Sequence, residues 1–560
     1  MLRTNPAALR KAVRFDPGWW YLRATAVGVV TMLGTYGWSL FIEHEAGLHV
    51  DSVVQAVVIS ASFGRVQLVF DRTDRLMACV VLPCAAAGAT ELSALTQHHP
   101  DVGDAVFTLA MAGSIWVRRF GLRATRAGTL LVLPLTAVLV VPGGIAALGG
   151  HERTWWAAVT ALVAVAWGTA VTWTAQRTGL VRRPPSAAVA APDAPAAPAA
   201  PARKGMRAGT RMALQMAVAL ACAFVVGRTL WPDHWAWTVL TAFLVCSGAR
   251  SRGDVLVKGV WRTIGASAGT VVAGAVAGSF GPRSDAAVVV IFSVLAVAGW
   301  LRELSYAFWA GCVTAVLSLL YDWFGQDSGD LLGTRLAGIA VGAVLGLAAS
   351  WLVLPIRTSA VVRARTAAAL AGLGELLEAD WHDTRAIRTA RARFAHRVDQ
   401  LVIATAPLKV LAALPVPSAR SARWRPDLGP LRVAAALRRC AGPVSHLVTA
   451  ATTAPDALTE DPRVAWRRTK VAAHVLAVRR AIGRRPAPSP TPSRPAPPAP
   501  VGPTGPEAEA VTDALLALSG IDSQLDALTT EFGPAATTPT GDVLAEPTRD
   551  PADRAADRGA

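Results

Sequence analysis

Apolar residues fall into twelve runs over roughly the first 355 positions of this chain, and short polar stretches separate them. In the first part the runs cover about 21–42, 52–64, 76–95, 104–117, 127–148 and 154–176. In the second they cover about 208–230, 235–249, 263–281, 285–301, 304–324 and 331–354. The run from Trp235 holds about fourteen residues, or roughly 21 Å of helix, against a hydrocarbon core of about 30 Å. The second run of the first part, Ser52 to Phe63, is equally short.

The two parts echo one another further along. Arg75 and Arg262 each open a span, Trp116-Val117-Arg118 and Trp300-Leu301-Arg302 each close one, and Arg153 and Arg335 each precede the last span of their half. Short hydrophobic segments at matching positions of two repeats point to a transporter's binding site. The pattern therefore predicts an all-α integral membrane protein with two parallel six-helix repeats, about twelve spans, followed by a C-terminal cytosolic helical domain.

The predicted boundaries are 1–180 for the first repeat, 181–206 for an Ala/Pro linker and 207–356 for the second repeat. Beyond Pro355 an Arg-rich amphipathic spacing, seen in Leu370, Leu373, Leu376 and Leu377, predicts the cytosolic helices over 357–485. A Pro-rich linker over 486–506, an amphipathic helix over 507–532 and a disordered tail over 533–560 complete the chain.

Composition agrees with a membrane protein. The chain has 560 residues, of which 53% are hydrophobic and 17% charged, and a mean hydropathy of +0.39. A net charge of +17 would suit nucleic acid, but most basic residues lie in the loops flanking the spans and in the C-terminal third. Arg65, Arg72, Arg118, Arg119, Arg123, Arg126, Arg177, Arg182 and Arg183 fall in one set of loops, whereas Glu43, His44, His98, His99, Asp101 and Glu152 fall in the other. By the positive-inside rule the first set is cytoplasmic, which places both termini there, in a bacterial inner membrane, and assigns no nucleic-acid partner. The six cysteines show no metal-site spacing, and neither HExxH, a Walker A sequence nor Gly-x-Ser-x-Gly occurs, so no enzyme, cofactor or metal is expected.

The candidate site residues each admit two readings. Arg262 heads a ladder of Gly265, Gly269, Gly274 and Gly278 that lets helices approach closely; it either lines the pathway or snorkels to the cytoplasmic interface, and Arg75 shares both readings. Arg335 and Arg153 stand at outer span ends, against the charge bias, and Arg335 precedes the Gly338, Gly342, Gly346 seam. A guanidinium there suits a carboxylate, while an ion pair of Arg335 with Asp330 is the structural alternative. His234, Trp235 and Trp237 at the mouth of the short span form either an aromatic wall for a planar substrate or interfacial anchors. Glu91, a carboxylate inside a span, is the candidate proton carrier.

Three groups of these residues resemble the fusaric acid resistance protein-like family, which is related to aromatic acid exporters. They are His234-Trp235-Ala236-Trp237, Arg262-Thr263-Ile264-Gly265 with Gly269, and Arg335 with Gly338, Gly342 and the stretch Trp351 to Pro355. The resemblance covers the second half well and the first half as a diverged copy. It implies export of small, often aromatic, organic acids across a bacterial inner membrane, driven by the proton gradient. The chain departs from the exporter pattern in lacking a repeated intramembrane acid. The expected partners are a small organic anion and membrane lipid, with a homo-oligomer left open, and a passive anion channel or a membrane scaffold stand as alternatives to the exporter.

Overall fold

The computed structural model of the protein describes residues 16, 19–46, 51–140, 151–181, 206–276, 279–302, 304–325, 332–413, 429–482 and 505–532. The Ala/Pro linker from 182 to 205, the Pro-rich stretch from 483 to 504, the tail and Asp330 lie outside them. The described residues form helices and no strand. They divide into two compact units: Met1–Val361 with Ala406–Arg420, and Val362–Thr405 with Ser421–Ala560.

In the first unit a helix stands on each of the twelve apolar runs. In chain order they are α1 (Trp20–Ala46), α2 (Asp51–Val66), α3 (Arg72–His98), α4 (Pro100–Trp116), α5 (Leu122–Val138), α6 (His151–Arg177), α7 (Ala208–Leu230), α8 (Trp235–Cys246), α9 (Arg252–Val276), α10 (Asp285–Leu301), α11 (Tyr306–Trp323) and α12 (Leu332–Leu352). Five of the described helices, α1, α3, α6, α7 and α12, contain stretches long and apolar enough to cross a membrane, and Ser52–Gly64, Trp235–Cys246 and Asp285–Leu301 are shorter apolar helices.

Six helix pairings recur in both halves, while among the described residues α3 on α4 and α2 on α5 occur in the first half alone and α8 on α9 in the second alone. The first helix packs on the second, the sixth on the first, second and third, and the fifth on the third and fourth, in α1–α6 and again in α7–α12. Between the halves the contacts are reciprocal: α4 packs on α7, and α10, its positional counterpart, packs on α1. Phe107 meets Phe224 edge-on at 5.6 Å across the first of these seams, and Tyr36 meets Phe292 at 5.2 Å across the second. One continuous apolar cluster runs from Leu92, Phe107 and Met111 through Met216 and Phe224 to Trp237 and Tyr321.

Two helix starts differ from the sequence expectation. Arg75 lies one turn inside α3, because Asp71 and Asp74 close a reciprocal cap (2.8 and 3.1 Å) before it. Arg262 lies nearly three turns inside α9, which begins at Arg252. The basic connector is helical because Gly253, Val255, Gly259, Arg262, Ala266 and Gly269 recur on one buried face. Neither arginine opens its helix, and Arg262 is enclosed among neighbouring helices at 2% exposure.

The exposed surface of the first unit is apolar, with Leu76, Val80, Leu109, Val225, Val271 and Val289 all largely uncovered. Lipid, not water, is the solvent for such a face. In the second unit the exposed large apolar residues among those described are Ile403, Leu476 and Leu516. This unit is a helical bundle. Gly429–Arg439, Ala441–Thr453, Pro455–Glu460 and Pro462–Ile482 gather around Pro506–Phe532, which buries Val511, Leu518, Ile521, Leu525 and Leu528 and accepts a hydrogen bond from His474 on Asp522 (2.7 Å).

Candidate functional site

The small-residue seam of α12 determines where α8 lies. A Cβ added at Gly342 would strike the Thr238 carbonyl, one at Gly338 would sit 3.2 Å from the Thr238 hydroxyl, and one at Gly346 would sit 3.2 Å from the Cys246 sulfur. The two backbones approach as closely as they do because no side chain intervenes. A second such contact joins α9 to α11, where Gly265 and Gly269 lie against the backbone of Ala307 and Gly311. These two seams pin α8, α9, α11 and α12 together around a core that holds two guanidinium groups.

Arg335, on the first turn of α12, is 3% exposed. Its guanidinium carbon lies 4.6 Å from the centre of the Trp237 ring and 5.4 Å from that of Tyr321, and its Nη1 donates to the Ser318 hydroxyl. Trp237 Nε1 donates to the Tyr321 hydroxyl at 3.2 Å, and the His234 ring stands edge-on to Trp237 at 4.8 Å. Among the described residues Arg335 Nε and Nη2, both buried, find no hydrogen-bond partner, and neither do the hydroxyls of Thr238 and Thr241 on α8. A cation held by π-faces gains about 0.5–2 kcal/mol from them.

Arg262, 2% exposed, donates from Nη1 to the Ala310 carbonyl at 3.4 Å, and its Nε has no partner among the described residues. The Tyr306 hydroxyl beside it is likewise buried and unpartnered there. Lys258 lies one turn before Arg262; it donates to the Ser247 carbonyl at 2.6 Å and stands 5.8 Å from the Tyr306 ring.

A single ridge of α11 connects the two arginines. Ala310, Thr314 and Ser318 follow at four-residue steps, Thr314 donates to the Ala310 carbonyl (2.9 Å) and Ser318 to the Thr314 carbonyl (3.1 Å). Arg262 reaches the first of these residues and Arg335 the last, about 12 Å apart at 1.5 Å per residue. Two buried cations and a hydroxyl stripe thus share one helix face.

The other sequence candidates fall elsewhere. Trp235 turns to the opposite side of α8 and lies under Arg228, 4.4 Å from its guanidinium carbon. Arg75 is half-buried and donates to Gln176 Oε1 at 3.2 Å. Glu91 is exposed and accepts a hydrogen bond from Thr154 at 2.5 Å. The side chain of Arg153 is outside the described residues. Sequence inspection missed Ser318, Tyr321 and the ion pair of Arg228 with Asp104. An apolar groove of about 420 Å³ on α3, α4 and α5, lined by Val80, Cys84, Gly88, Val106, Ala110 and Leu131 among others, offers no group to hold a charge.

Fold and site together define a multi-pass, all-helical membrane protein with buried guanidinium groups set among aromatic rings and hydroxyls. Residues 216–349 match the family model described as fusaric acid resistance protein-like, which bears out the sequence resemblance over that stretch. The match contains Arg228, Trp237, Arg262, Ser318 and Arg335. No curated protein matches the chain.

Proposed function

We propose that this protein exports small organic, chiefly aromatic, acids through a bacterial inner membrane, with twelve spans in two parallel six-helix repeats and both termini in the cytoplasm. One observation carries the proposal: the Arg335 guanidinium is buried against Trp237 and Tyr321 with two N–H donors unpartnered among the described residues. Asp322 lies near enough to attract this cation, and buried guanidinium N–H groups left without a hydrogen-bond acceptor still cost several kcal/mol. A carboxylate accepting both N–H groups would remove that cost, and the flanking rings suit a planar apolar body. The family match adds a name that concerns resistance to an aromatic acid, and the like pairing of helices in the two halves supports the repeat. Proton drive is part of the same proposal, with Glu91 as the acid the sequence offers.

The test is uptake of radiolabelled benzoate into inside-out vesicles. Arg335→Gln is expected to reduce the rate at least tenfold while membrane insertion stays as in the parent and the melting temperature does not fall. An unchanged rate removes Arg335 from the pathway. The hydroxyl stripe between Arg262 and Arg335 favours a second reading, a passive anion pore. Single openings in planar bilayers would establish the pore, and proton-dependent flux without openings would establish the carrier.

A further inference from the structure

Where α4 meets α7, Asp104 and Arg228 form a two-pronged ion pair, with Arg228 Nε on Oδ2 at 2.5 Å and Nη2 on Oδ1 at 2.7 Å. Asp104 is 9% exposed although it belongs to the first turns of a membrane helix. Arg228 also covers the Trp235 ring, Trp235 packs on Phe224 at 5.3 Å, and the backbone at Trp235 abuts Gly227. The outer end of α8 is therefore held between two arginines, Arg228 over Trp235 and Arg335 over Trp237. One of them already holds a carboxylate, in the geometry an organic acid would adopt.

We infer that Asp104 is a tethered stand-in for the transported anion: ionised, it occupies Arg228 and competes with the substrate carboxylate; protonated, it yields Arg228 to it. The inference rests on the transport reading above. A carboxylate fixed beside its partner acts at a high effective concentration, so it displaces a departing anion and resets the site. Linkage then requires that protonating Asp104 strengthen anion binding and that the anion strengthen protonation by the same factor. The proton comes from outer water, resides on a carboxylate oxygen of Asp104 and returns to the same water when the anion leaves, so Asp104 carries no proton across the membrane and the proton drive stays with Glu91.

The charged and titratable groups near Asp104 are few. Arg228 is on α7, Asp101 is one turn earlier on α4, His98 and His99 join α3 to α4, and Asp233 and His234 lead into α8. Of the other elements packed on α4, α3 carries Glu91 two turns before His98 and Arg72, Asp74 and Arg75 at the far end, and α5 and the short turn Val117–Phe120 carry Arg123, Arg126, Arg118 and Arg119 at that far end.

The experiment is benzoate binding to the purified full chain in detergent, by calorimetry at pH 7.5 and 5.5. The wild type should bind about tenfold more tightly at the lower pH, within the usual range of such couplings. D104N should bind tightly at both values, R228Q weakly at both, and D104E should keep the wild-type dependence and so show that the bundle tolerates substitution there. A D104N protein that retains the tenfold dependence, as it would if His234 were the titrating group, overturns the inference. Absence of binding by both wild type and D104N at both pH values overturns it too. Unchanged binding by R335Q would remove only the Arg335 reading, because the Asp104 result is a pH difference measured within each variant.

Discussion

Tyr321 has two roles in the core that faces α8: its ring lies near the Arg335 guanidinium, and its hydroxyl accepts the indole N–H of Trp237. Tyr321→Phe would keep the ring and strand the N–H in a buried place, which costs about 1–3 kcal/mol. A lower unfolding midpoint together with weaker benzoate binding is the expected result, and an unchanged midpoint would show that the indole finds another acceptor. Arg335 was legible in the sequence because an arginine at an outer span end runs against the charge bias. Tyr321 and Ser318 were not, since a lone hydroxyl among apolar residues acquires a partner only once the rotation of each helix is known. Arg228 was not legible either, because its role depends on Asp104, 124 positions away.

Between helices, the small-residue seams were visible as spacing, and the structure shows which glycines in them are indispensable. Gly342 lies against the Thr238 carbonyl, whereas a Cβ at Gly274 would meet nothing within 4 Å. Gly342→Ala should therefore push α8 and α12 apart and cost about 1–3 kcal/mol, while Gly274→Ala should leave the melting temperature unchanged or raise it. Equal effects of the two substitutions would contradict the packing. The start of α9 was misjudged for a physical reason: arginines and a lysine interrupt the apolar run, yet the buried face continues through Gly253, Val255 and Gly259.

In the second unit, Asp461 caps the helix Pro462–Ile482 by accepting the amides of Arg463 (2.8 Å) and Val464 (3.3 Å), and its Oδ2 also takes Arg463 Nη2 at 2.7 Å. Burial works against its charge, but the bonds from Arg463 and Val464 outweigh it and hold the carboxyl below the usual range. A depressed carboxylate contributes stability that is complete above its unfolded pKa and is lost as pH falls through the lower folded value. Asp461→Ala should cost about 1 kcal/mol near neutrality. Faster hydrogen exchange at the first amides of that helix is the measurement, and the gap between variant and parent should close in acid.

For the molecule as a whole, the reciprocal seams make a prediction that neither half makes alone. In a cysteine-free background, the pairs Phe107→Cys with Phe224→Cys and Tyr36→Cys with Phe292→Cys should both be bridged by a short bifunctional thiol reagent. Bridging at one seam only would mean that the halves do not meet in the reciprocal way described. The recurrence of helix pairings follows the charges and short spans that the sequence shows in each half. The way the halves associate was not legible, because the exposed faces of both halves are uniformly apolar and do not single out α1, α4, α7 and α10 as the meeting helices.

That reciprocity has a consequence for how the chain could be divided. Six helices cut from this chain would leave a fourth and a first helix each without its mate, and two such fragments could satisfy one another head to tail and tail to head. The polypeptide is thus built like a homodimer whose subunits have been joined into one strand. The two halves are not equivalent in one respect: Arg262 is enclosed in the second, whereas Arg75 in the first is only half-buried.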